Sequence, residues 1–278
     1  MLKKILLVIV CILMMLPPIT ADAQTYTSQD EVYHIIRKNL LAHKEQFTIE
    51  MNIEVMNKIG KNTDLLDKAA VIDYKSTSKD GDYLRFSVSQ WSSHWQWYTN
   101  GKTAVLDFSA TYRTTLKQEK ELDAEIKRVI KALKLTDKSD YTKVKRIHDY
   151  IIKKTVYDQS LENHTAYNTL IEKTAVCDGY SLAAYRLLTV AGIDNRVITG
   201  LANGGSHSWN IVKINNKWYN LDLTWDDPIT DTGEQILTYD YFLKNDSDFK
   251  NHKRDAKYRT SAFIKKYPIA KESYKLAN

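Results

Sequence analysis

The sequence predicts an α+β protein built as two units behind an export segment. Three patterns carry that expectation: apolar residues that alternate with polar ones in the first half, apolar stripes at helical spacing from Lys117 onward, and a strand–turn–strand signature over residues 208–224. Forty Lys and Arg stand against 34 Asp and Glu among 278 residues, a formal charge of +6.

The first 23 residues are set apart from the fold. A cationic start with Lys3 and Lys4 leads into an apolar run from Ile5 to Leu16, then Pro17-Pro18 and the small-residue site Ala21-Asp22-Ala23. This is the layout of a secretory signal, and the apolar run is too short to span a bilayer. Cleavage is expected between Ala23 and Gln24, giving a secreted or cell-wall-associated protein with no stable membrane insertion. Cys11 suggests a lipoprotein anchor instead, but it lies within the apolar run and follows the bulky Val10. About 255 residues remain, enough for two small cores, and the units are placed at 24–116 and 117–278.

Loss of Lys3, Lys4 and Asp22 lowers the charge by only one. A basic exported protein suits an anionic wall, whereas the scattered placement of Lys and Arg argues against nucleic acid as a partner. Of two cysteines, Cys11 leaves with the signal, so Cys177 remains as a lone thiol that can form no internal disulfide. Such a residue is either a reactive group or a small buried hydrophobe.

In the first unit, Ser28 and Glu31 form a capping box before a helix carrying Val32, Ile35, Ile36 and Leu40. Phe47, Ile49, Met51, Ile53 and Val55 alternate as in a strand, and a short helix is expected over Leu65–Ile72. Strands are expected at 83–88 and 95–112, the latter folded into a hairpin at Asn100-Gly101. Trp91, Trp95, Trp97 and Tyr98 are expected to fill a core or pair across strands, with a binding face as the alternative.

In the second unit, Leu122, Ile126, Val129, Ile130 and Leu133 form one helical stripe. Ser139-Asp140 caps a second helix bearing Val144, Ile147, His148, Ile151 and Ile152, in which His148 reads as a satisfied buried histidine. Cys177 sits at or just before the N-terminus of an Ala- and Leu-rich helix ending at Gly192, and there free N–H groups and the helix dipole favour a thiolate and can hold an oxyanion.

The partner for that thiol is expected on the hairpin around Asn215-Asn216. A two-residue loop there places His207 and Asp222 as diagonal neighbours on one face, so that the carboxylate orients the imidazole. Cys177, His207 and Asp222 then form a nucleophile, base and orienting acid. One Cys, one His and one Asp without a CxxC or HxxxH partner make a poor zinc set, and no metal or cofactor is expected.

Three blocks, Ala175-Val-Cys177-Asp-Gly-Tyr180, His207-Ser-Trp209-Asn-Ile-Val and Trp218-Tyr-Asn-Leu-Asp222-Leu-Thr-Trp225-Asp226-Asp227-Pro228, resemble the bacterial transglutaminase-like superfamily. The flanks are similar too, around Lys143–Tyr150, Tyr157-Asp158, Thr165–Tyr167, Tyr241-Phe-Leu and His252, so that the likeness runs roughly from Thr136 to Pro268. The resemblance implies a papain-like domain, with Cys on a helix N-terminus packed on an antiparallel sheet, and a triad of Cys177, His207 and Asp222. It implies an enzyme acting on amide bonds of protein or peptide substrates through a Cys acyl-enzyme, by transfer or by peptidase or deamidase hydrolysis. A noncatalytic wall- or peptide-binding protein with a relic triad is the alternative. Tyr157 is the candidate near the oxyanion, and Trp209 and Trp225 are candidate cleft walls. Asp226 and Asp227 read as turn or capping residues, with calcium binding as a second reading.

Overall fold

Ser28 opens α1 (Gln29–Leu41) through the expected reciprocal capping box with Glu31, and Val32, Ile36 and Leu40 line its buried side. The computed structural model describes residues 25–60, 64–70, 77–98, 101–229 and 235–275. The export segment, its cleavage site and Cys11 therefore lie outside the described residues.

The first sheet is antiparallel, with β3 (Thr103–Tyr112) between β1 (Gln46–Asn52) and β2 (Val88–Trp97). Strands β2 and β3 form the expected hairpin; Asn100 of its turn is outside the described residues, while Gly101 holds a φ of +65°. One face of the sheet presents Ile49, Met51, Leu106 and Phe108 to α1, α2 (Ile53–Ile59) and α3 (Leu65–Ala69).

The sequence reading missed two elements here. Ile53 and Val55 do not extend β1, because the Asn52 side chain accepts a hydrogen bond from Glu54 N at 2.8 Å and caps α2. Residues 83–88 were expected as a strand, yet α4 spans Asp82–Ser87. Gly81, at φ +64°, turns the chain into this helix and Asp82 at its start accepts from Arg196 and Val197 N, while Tyr83 and Leu84 pack into separate cores. The aromatic cluster also divides: Trp91 and Trp95 pack against the first core, whereas Trp97 is 68% and Tyr98 44% exposed.

Helices α5 (Leu116–Leu133) and α6 (Asp140–Lys154) follow, started by Thr115 and Ser139 caps. Two short strands, β4 (Val156–Tyr157) and β5 (Thr174–Ala175), pair in parallel just before α7 (Cys177–Val190). Helix α7 is wedged between α5 and α6 on one side and a four-stranded antiparallel sheet on the other. It ends in a Schellman motif, with Ile193 N donating to Leu188 O, Gly192 N donating to Thr189 O, and Gly192 at φ +80°.

That sheet has the order β8 (Lys217–Leu221), β7 (Gly205–Ile214), β6 (Asn195–Ala202), β9 (His252–Arg254). Val197, Val212, Ile214 and Leu221 join the helical core. Ile198, Trp209, Ile211 and Trp218 form a separate apolar cluster with Phe249, Tyr258 and Tyr267 from the C-terminal segments. Strand β9 crosses close to Gly200, where a β-carbon would overlap the Lys253 carbonyl oxygen, so glycine permits this edge pairing. Among the described residues no helix is long and apolar enough to cross a membrane.

Candidate active site

The hairpin that supplies His207 follows the expected geometry. Asn215 and Asn216 take φ values of +49° and +62°, and the register pairs Ile214 with Lys217, Lys213 with Trp218 and Asn210 with Leu221. Strand β8 then stops, and Asp222 turns the chain as its Oδ1 accepts from Thr224 N at 2.9 Å and Trp225 N at 3.2 Å. Its other oxygen, Oδ2, accepts from His207 Nε2 at 2.7 Å.

Cys177 is the first residue of α7, and its N-cap, Val176, brings no side-chain acceptor to the open N–H groups of the first turn. Ser208, next to His207, pins this turn to β7: its Oγ donates to Asp178 Oδ1 at 2.9 Å and lies 3.0 Å from Ser181 Oγ. Cys177 thereby starts its helix beside His207, close enough to act on the imidazole's pKa. Because Asp222 engages Nε2, the ring nitrogen left for the thiol is Nδ1.

Gly179 explains why the Cys-bearing turn fits so closely. A β-carbon there would stand 2.6 Å from Ala175 Cβ and 2.7 Å from Thr169 Oγ1. Gly179→Ala is therefore expected to displace this turn and cost about 1–3 kcal/mol. Urea unfolding, read together with the alkylation rate of Cys177, checks both effects.

Burial acts to lower the His207 pKa, but the Asp222 carboxylate and Cys177 outweigh it and raise the pKa to about 10. Burial likewise opposes ionisation of Asp222, yet the His207 and His252 contacts bring its pKa down to about 2. The sign of the linkage follows from both shifts. Asp222 contributes stability above its ordinary value of 3.8, lost as pH falls through about 2; His207 contributes stability below its ordinary 6.5, lost as pH rises through about 10. The melting-temperature gap between wild type and Asp222→Asn is expected to be widest between about pH 4 and 6.5 and to narrow on both sides.

Pairing of Tyr157 with Ala175 puts the phenol beside the start of α7. Its pKa is raised, first by burial and then by the charge of Cys177, so it stays protonated and able to donate. Trp225 is half-buried, with its ring 5.9 Å from His207 and 4.6 Å from His252. Trp209 is not the cleft wall expected of it. It lies two residues into β7 from His207, 1% exposed within the apolar cluster, and backs the imidazole at a ring distance of 6.1 Å.

Asp226 and Asp227 fasten the segment after Asp222 to the helices. Asp226 accepts from Tyr241 N at 2.8 Å, Thr238 Oγ1 at 3.2 Å and the fully buried His148 Nε2 at 3.1 Å, while His148 Nδ1 meets Asp149 at 3.1 Å. Asp227 accepts from Tyr180 OH and Gln235 Nε2, both at 2.6 Å, and burial pushes its pKa up to about 6. These oxygens serve protein donors, which accounts for both carboxylates without a cation.

His252 is the site residue to which sequence reasoning gave no role. Its Nε2 lies 2.9 Å from Asp222 Oδ2. One ligand-type atom from each of His207, Asp222 and His252 lies within 4.8 Å of the others, and both imidazoles approach Asp222 Oδ2 at hydrogen-bonding distance.

A thiol at a helix start, an imidazole beside it and a buried carboxylate hydrogen-bonded to the imidazole have the arrangement of a papain-like thiol site on an α+β fold. Residues 127–223 match the family model of the transglutaminase-like superfamily, and this segment is transglutaminase-like. It is similar to the solved structure of a TGase, at 19% identity and TM-score 0.36, covering 65% of this chain and 51% of that one. A proposed cysteine protease from Cytophaga hutchinsonii is similar at 18% identity and TM-score 0.33, with 49% of this chain and 65% of that one covered. A proposed protease from Parabacteroides distasonis ATCC 8503 follows at 9% identity and TM-score 0.28, with coverage of 69% and 44%. The chain thus spans about half the length of the TGase it matches. No curated protein matches it.

Proposed function

We propose that this protein is a thiol enzyme acting on amide bonds of protein or peptide substrates through an acyl-Cys177 intermediate. The placement of Cys177 at the start of α7 beside His207, whose Nε2 is hydrogen-bonded to the buried Asp222, supports this reading. Attack of the Cys177 sulfur on the amide carbon forms an S–C bond, and the oxygen gains charge. First-turn N–H groups of α7 and the Tyr157 hydroxyl are the donors placed to hold it. As the C–N bond breaks, the proton on His207 Nδ1 passes to the leaving amine, and a thioester remains. An incoming amine or water then attacks the thioester, gives a proton to His207 and releases the thiolate.

We place this activity outside the cell or at its envelope, on the signal-like first 23 residues and the basic charge. No metal or cofactor enters the proposed steps. The test is to incubate the protein with a glutamine-containing peptide and a fluorescent primary amine, then analyse peptide and Cys177 by mass spectrometry. Amine incorporation assigns transfer, and peptide cleavage or deamidation assigns hydrolysis. A peptide left unchanged by wild type, across a panel of peptides, contradicts the enzyme reading.

A further inference from the structure

The environment of Asp222 is more elaborate than a triad requires. Oδ1 takes the backbone N–H groups of Thr224 and Trp225, and Oδ2 takes both His207 Nε2 and His252 Nε2. Four donors fill the four lone-pair directions of one carboxylate. Each shared nitrogen must carry its proton, since the ionised carboxylate can only accept.

His252 is constrained at its other nitrogen as well. Nδ1 lies 2.8 Å from the Lys250 carbonyl oxygen, which also can only accept. Both ring nitrogens therefore donate, and a ring with two N–H groups is an imidazolium. Its side chain is 2% exposed, with Phe249 at 4.0 Å, Trp225 at 4.6 Å, Trp209 at 5.1 Å and Tyr241 at 5.4 Å between ring centroids. Strand β9 is seated by its close passage over Gly200, which fixes the ring 5.6 Å from that of His207.

We propose that His252 is a positioning residue of this site, a second imidazolium that holds Asp222 from behind and offsets its charge, so that His207 is matched to the Cys177 thiolate. This rests on the thiol-enzyme reading above. With His252 charged, two cations face two anions; without it, the buried site carries an excess negative charge. Asp178, Tyr157, Asp226 and Tyr241 lie around Asp222, and Asp246, Lys253, Arg254 and Arg259 line a pocket with His252. Arg254 is engaged by Asn220 and Asp246, and the side chains that hydrogen-bond to Asp222 are His207 and His252.

The substitution that isolates the charge is His252→Gln, because the amide can still donate to Asp222. Removal of a neighbouring cation raises the affinity of the whole site for protons. The rate of Cys177 alkylation by iodoacetamide, followed on the Cys177 peptide by mass spectrometry, is expected to fall at least about threefold near pH 5 and to stay within about twofold near pH 8. A His252→Gln profile superimposable on wild type would overturn the proposal. His207→Ala in the same assay tests the triad separately: if that variant also matches wild type, the thiol-enzyme reading fails on its own account.

Histidine-ring NMR of ¹⁵N-labelled wild type near neutral pH decides the matter even if the variant does not fold. Two protonated ring nitrogens on His252 are expected. A single protonated nitrogen on that ring would refute a second imidazolium.

Discussion

Asp222→Asn is expected to lower turnover on an amide substrate by about two to four orders of magnitude while the protein remains folded. The cause is a conflict of donors. Thr224 N and Trp225 N require an acceptor, so the asparagine oxygen must face them and the NH₂ must face His207 Nε2 and His252 Nε2. The His207 proton is then driven toward Nδ1, the nitrogen facing the thiol, and the imidazole is in the wrong tautomer to accept a proton there. Steady-state kinetics should show the loss mainly in kcat. A variant within about threefold of wild type would mean that Asp222 does not orient the base.

His148→Leu is expected to destabilise the fold by about 3–5 kcal/mol, because it strips the imidazole from two carboxylates and leaves Asp226 buried without its partner. The damage should reach the site, since Asp226 also accepts from Tyr241 N and Asp222 N donates to Tyr241 O. Denaturant unfolding measures the loss. His148→Leu with Asp226→Asn should recover part of it, since no charge then remains uncompensated.

The local features of this molecule were legible in the sequence where short-range chemistry decides them. The Ser28–Glu31 capping box, the Ser139 cap, the Gly192 helix end and the Asn215-Asn216 turn each occupy a few consecutive residues with one good solution. The hairpin parity carried furthest, because a two-residue loop fixes which residues share a face, and it brought His207 and Asp222 together. Failures came where distant packing overrides pattern. Tyr83 and Leu84 read as strand neighbours, but the Gly81 turn and the bonds from the distant Arg196 and Val197 N to Asp82 accompany a helix, α4. Trp209 was misread because its burial depends on Phe249, Tyr258 and Tyr267, contributed from beyond the hairpin. His252 reaches Asp222 from 30 residues away through the β6–β9 pairing, for which local periodicity gives no signal.

The central claim is that His207 holds Cys177 ready as a nucleophile, and the pH dependence of Cys177 alkylation tests it most directly. A thiol without such a partner gains reactivity only as pH approaches about 8.5. The wild-type rate is expected to remain high down to about pH 5, and His207→Ala to move the midpoint up toward the ordinary thiol range. Identical, ordinary profiles for the two proteins would show that no thiolate–imidazolium pair exists, and the account of this site as a thiol enzyme would be wrong.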